Sequence, residues 1–139
     1  MSSAKFASVE SSRPIDESFA ALLQVVQGRE YELAGLSNET HQMLFKSGKT
    51  ALSWGHYYMA SGIGTAQGST LNLTIAGVPG APTSLLDGRK NKKAGEKLVE
   101  AVETVLASAE GPSPQLVESF AVLEDGSSVP WTEGEYPGA

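Results

Sequence analysis

The sequence predicts a two-layer α+β domain: an antiparallel sheet of four to five strands covered by two helices, in the order β-α-β4-α. Three observations carry this. Apolar residues recur at helical spacing over 15–27 and again over 98–106. Between these stretches, from Glu30 to Gly77, the period changes to two. The gaps between the strand-like runs are too short for parallel crossovers, which need a dozen or more residues, so consecutive strands must form hairpins.

Taken in order, Lys5–Glu10 is a short strand with weak alternation. A helix follows at about 15–27, where Ile15, Phe19, Leu22, Leu23 and Val26 make one buried face. Pro14 suits its first turn, Asp16 and Glu17 complement its positive end, and Gly28 is placed to end it. Tyr31 and Leu33 then alternate with Glu30 and Glu32, and Met43 and Phe45 share a face with His41. Ser47-Gly48-Lys49 signals a turn, and Thr50–Ala60 is rich in strand formers, among them Trp54, Tyr57 and Tyr58. After a turn at Gln67-Gly68-Ser69, Leu71, Leu73 and Ile75 alternate with Asn72 and Thr74. A long helix from about Asp87 to Ala109 buries Leu98, Val102, Val105 and Leu106. Its Gly95 costs about 1 kcal/mol against alanine and so marks a close backbone approach.

The 139 residues divide unevenly. Residues 1–109 balance ten acids against ten bases, whereas 110–139 hold six acids and no base, and so carry the whole net charge of −6. Four prolines, Pro112, Pro114, Pro130 and Pro137, lie in the same stretch. The expectation is a folded body, 1–109, and an acidic, proline-containing tail, 110–139, that is largely disordered and adds little to the core. Leu116, Phe120 and Leu123 leave room in it for a short helix or for a hairpin about Asp125-Gly126.

Composition removes several functions. Hydrophobic residues at 40 % and charged residues at 19 % describe a globular chain. The absence of cysteine excludes disulfides and thiolate chemistry. No apolar run reaches the roughly 20 residues of a membrane span, and no signal-peptide core follows the N-terminus, so the expected location is cytoplasmic. The acidic balance argues against nucleic acid. Ser47-Gly48-Lys49-Thr50 looks like the end of a phosphate loop, but Met43 stands where that motif needs glycine and a strand follows. Gly62, Gly64 and Gly68 approach a dinucleotide fingerprint, again with a strand where a helix should begin. His41 and His56 lack a motif that would bring catalytic or metal-binding partners to them. No catalytic residue, metal site or cofactor is expected.

The order Phe6–Val26 (strand into helix), then a meander, then the helix through Lys93–Leu106, resembles the helix-grip arrangement of START and Bet v1-like domains. The span between the helices is too short for the six-strand meander of those domains, and the β-α-β4-α order of TATA-binding-protein-like folds is similar too. Both likenesses cover residues 5–109 and are topological. The helix-grip likeness implies an apolar ligand held between sheet and C-terminal helix.

The expected function is therefore a non-enzymatic binding module. An apolar small molecule or lipid would lie between the sheet and the C-terminal helix, against Trp54, Tyr57, Tyr58, Met59, Leu98 and Val102. Arg89, Lys90, Lys92 and Lys93 form the one basic cluster and are candidates for gripping an anion. The alternative is a protein-interaction or self-association domain, a homodimer for instance, using the face or edge of the sheet.

Overall fold

A computed structural model describes residues 5–28, 31–47, 56–77, 87–123, 125–133 and 137. The elements are β1 (Lys5–Ser11), α1 (Ile15–Gly28), β2 (Tyr31–Ser37), β3 (Gln42–Ser47), β4 (His56–Thr65), β5 (Gly68–Gly77), α2 (Asp87–Ala107), β6 (Phe120–Val122) and β7 (Ser128–Val129). The strands form one antiparallel sheet in the order β1-β5-β4-β3-β2-β6-β7. Its seven strands exceed the four to five expected, and the two extra ones come from the stretch expected to be a tail.

Alternation sorts the sheet into two faces. Val9, Leu71, Leu73, Ile75, Tyr58, Ala60, Met43 and Phe45 point to the helices and are buried with Leu22, Leu98 and Val102. This is the shared core of the two layers, and among the described residues both helices lie on this face of the sheet. The helices are tied at one corner by Arg13. Its guanidinium pairs with Glu17 at 2.8 Å and donates to the carbonyls of Leu106 and Ser108 at 2.9 and 3.1 Å. The last turn of α2 has no basic residue of its own, so Arg13 supplies the cation that its exposed carbonyls favour. Beneath it, the Ser69 hydroxyl donates to the Arg13 carbonyl at 2.8 Å. A hydroxyl has one proton, so in the 2.6 Å contact between Ser18 and Ser69 it is Ser18 that donates.

Residues 112–119 run from α2 across α1 to the β2–β3 turn as a strap held by hydrogen bonds. Gln24 accepts from the Ser113 amide (2.7 Å), and Gln27 both donates to and accepts from Gln115 (2.6 and 2.9 Å). Asn38 donates to Val117 and Ser119, each at 2.9 Å. The Ser119 hydroxyl donates to Glu39 and holds that carboxyl below its ordinary range. Phe120 and Ala121 then pair with Leu36 and Gly35 of β2. A turn with Gly126 at φ 87° returns the chain as β7, with the Asp125 carboxylate accepting from the Ser127 amide and hydroxyl. These bonds hold Asp125 below its ordinary range too. This is the hairpin about Asp125-Gly126, joined to the sheet through β2, and Trp131 beyond it is 0 % exposed. The strap needs only side-chain partners and the hairpin only a few strand residues, features that acid and proline content do not register.

Candidate functional site

The space directly between the sheet and the inner stripe of α2 is filled. Leu98 and Val102 have no exposed surface, and Tyr58 is buried beside them in the core. The Tyr58 ring stacks on Phe45 with centroids 4.8 Å apart, and Tyr31 meets both rings edge-on at 5.4 Å. Burial pushes the Tyr58 phenol up to about 12, against a smaller opposing effect of the Ser47 hydroxyl. His56, one inward position along β4, approaches the Asn91 carboxamide oxygen through Nδ1 at 2.7 Å. That contact ties the start of β4 to the first turns of α2.

A groove opens one step outward, along the margin of the sheet between β1 and the outer flank of α2. Its volume is about 600 Å³. Ala7, Ile75, Gly95 and Val99 form an apolar floor with the buried Asn91 beside it; Lys5, Lys92, Glu96, Glu100 and Glu103 form a charged rim. Gly95 explains how the floor is built. A Cβ there would lie 2.9 Å from Ile75 Cδ1 and 3.9 Å from Ala7 Cβ, so α2 presses its backbone onto β5 and β1 at this point. Phe6 joins the groove from the edge of β1 and is 79 % exposed.

The expected ligand residues are therefore not gathered at this opening. Leu98 and Val102 are on the adjacent, core-facing stripe of α2, and Tyr58 is in the core. Tyr57 is half-buried and Met59 is 37 % exposed, both on the sheet face away from the helices. Trp54 lies outside the described residues. Of the basic cluster, Lys92 lines the groove and Lys93 is exposed; the side chains of Arg89 and Lys90 lie outside the described residues. Sequence reasoning missed the groove because it is made by β1, whose alternation is weak, and by the flank of α2 next to its apolar stripe. The signals that mark it are Gly95 and Val99, the second of which widens that stripe on the groove side.

The helix-free face carries a second feature. Register places Phe6, Thr74, Met59 and Leu44 in one row across β1, β5, β4 and β3, continuing to Gly35, Ala121 and Val129. The row is covered where Gly35 and Ala121 are buried and open at Met59 and Phe6. Among the described residues, no helix is long and apolar enough to cross a membrane and no group of three His, Asp or Glu residues could hold a metal ion.

No family model and no curated protein sequence matches the chain. Among solved structures, it is similar to the crystal structure of Ara h 8.0201, a Bet v 1 family allergen, at 9 % sequence identity. The match covers 73 % of this chain and 95 % of that one, with a TM-score of 0.54. Identity this low speaks for architecture alone. Of the two likenesses drawn from the sequence, the helix-grip one is supported: the chain has a Bet v1-like helix-grip fold, with four strands among the described residues between its helices and a further hairpin after them.

Proposed function

We propose that the protein is a non-enzymatic binding module that holds an apolar small molecule or lipid in the groove between β1 and α2. The observation that carries this reading is the groove itself. Its volume of about 600 Å³ lies within the roughly 300–1,000 Å³ of ligand clefts. Its floor is apolar and its charges stand at the rim, so an apolar body would be buried while any polar end stays in water. The likeness of the fold to Bet v1-like domains agrees with a binding role. Compared with the expectation from sequence, the proposed ligand moves from the filled interior to the sheet margin.

The test is a fluorescence titration with N-phenyl-1-naphthylamine, a neutral apolar probe. The full chain is expected to give saturable enhancement. Val99→Trp, which places a large ring over the floor, should abolish it. Thr104→Trp, at an exposed position of α2 outside the groove, should leave it intact. Equal binding by Val99→Trp and the unaltered chain would overturn the reading. A second reading, docking of a partner on the margin or open face of the sheet, is favoured by the exposure of Phe6 and by the edge of β1, which has no partner strand other than β5 among the described residues.

A further inference from the structure

The two edges of the sheet differ in how they end. β7 is two residues long and is followed by Pro130, which cannot donate to a further strand. β1 is seven residues long, contains no proline, and pairs only with β5 among the described residues. A free edge of that length is a template for another strand.

The groove beside it has a direction. Gly95 lies over Ala7, while Arg13, just past β1, reaches the carbonyls of Leu106 and Ser108. α2 therefore runs the same way as β1. Lys5 and Lys92 stand at one end of the groove, Glu100 and Glu103 at the other, and Glu96 between them. A partner that presents the same charges in reverse order would match it. A second copy of this chain, turned about a two-fold axis, does so.

We propose that two copies pair antiparallel through β1, about a two-fold axis at Ser8, joining their sheets into one. The register follows from the charges. A strand rises about 3.3 Å per residue and a helix about 1.5 Å. One step from Ala7 to Ser8 thus advances about two residues along α2 from Gly95, to about Lys97. A two-fold axis there brings Lys92 of each copy opposite Glu103 of the other. On the helix side it sets Ala7 across from Val9, an apolar pair at the centre of the junction. Closed two-fold assemblies of this kind are the commonest among soluble oligomers. In the pair, each α2 becomes the outer wall that the other groove lacks, and two open grooves become one enclosed chamber. That last consequence rests on the binding reading above; the pairing of the strands does not.

The experiment is sedimentation velocity on the full chain over a wide range of concentrations, with Lys92→Glu and Glu103→Lys variants. Both residues are exposed, and circular dichroism checks that the variants keep the fold. The unaltered chain is expected to dimerise. Each single variant brings like charges together twice and should weaken dimerisation about tenfold or more. An equimolar mixture of the two variants, or the doubly substituted chain, restores opposite pairing and should recover the dimer. A chain that stays monomeric throughout, single variants that dimerise normally, or a mixture that fails to recover would each overturn the proposal. A dimer indifferent to these charges but lost in Met59→Lys would place the contact on the sheet face and also overturn it. Probe titration of the monomeric single variants is read separately. Binding as tight as in the unaltered dimer overturns the shared chamber, whereas weaker binding supports it; loss of the probe in a chain that still dimerises counts against the binding reading alone.

Discussion

The β7 margin and the β1 margin use aromatic residues in opposite ways. At the first, Trp131 follows a two-residue strand and has no exposed surface. At the second, Phe6 sits on a seven-residue strand and is 79 % exposed. Between the two, the strap 112–119 spans the distance from α2 to β2 on hydrogen bonds shared with Gln24, Gln27, Asn38 and Glu39. Without this extension, β2 would be a second open edge with Leu36 at its margin. The C-terminal stretch therefore closes one edge of the sheet, and among the described residues β1, beside the groove, is left as the long edge at the other.

The largest effect expected from a single substitution that breaks this contrast is at Trp131. Removing a fully buried tryptophan costs about 3–5 kcal/mol, so Trp131→Ala should lower the melting temperature by roughly 10 °C or more in a chain of this size. Deleting residues 111–139 should cost more still, because it also removes the strands that cover β2. Thermal unfolding measures both. A deletion with an unchanged melting temperature would return the boundary to residue 109 and make the hairpin an appendage.

A smaller effect comes from the centre of the sheet, which both margins share. Tyr58 is buried against Phe45, with its phenol pushed up to about 12. In the unfolded chain the ordinary value is about 10. The folded form holds this proton more tightly, so its contribution is fully present below pH 10 and is lost as pH rises towards 12. The slope in that window is about 1.4 kcal/mol per pH unit. Denaturant unfolding at several alkaline pH values should show it. Tyr58→Phe should remove this component, and an unchanged slope in that variant would assign the loss to other groups.

The smallest effect on stability is expected at Phe6. Its ring is mostly in water, so Phe6→Thr should change stability by no more than about 0.5 kcal/mol, while weakening binding of the apolar probe. A fall in melting temperature comparable to that of Trp131→Ala would mean that the two margins are not different in kind.

The contrast also explains what could be read from the sequence. The helices were legible because each buries a continuous stripe: Phe19, Leu22 and Val26 on α1, Leu98 and Val102 on α2. The antiparallel meander was legible from short gaps and from the alternation of Leu71, Leu73 and Ile75. The hairpin β6–β7 was not fixed, because three and two residues are too few to show a period, and the acidic charge and prolines around them spoke for disorder. Leu116, one of the three apolar residues that left room there for a short helix or a hairpin, is 89 % exposed; the fully buried residue is Trp131, beyond that run. The groove was hidden for a different reason. It depends on the absence of a side chain at Gly95 and on β1 being the last strand of the sheet, and neither a glycine's neighbours nor a strand's place in the order is written in local pattern. Tyr57 and Met59 were weighed for their size, but alternation sends them to the face without helices.

The most direct test of the groove as the binding site is amide hydrogen exchange on the full chain, with and without saturating N-phenyl-1-naphthylamine, at a concentration where the assembly state does not change. The account predicts added protection in residues 5–11 and 91–103 and none in 120–131. Protection that leaves β1 and the flank of α2 unchanged, and appears instead on β4 or on the C-terminal hairpin, would contradict it.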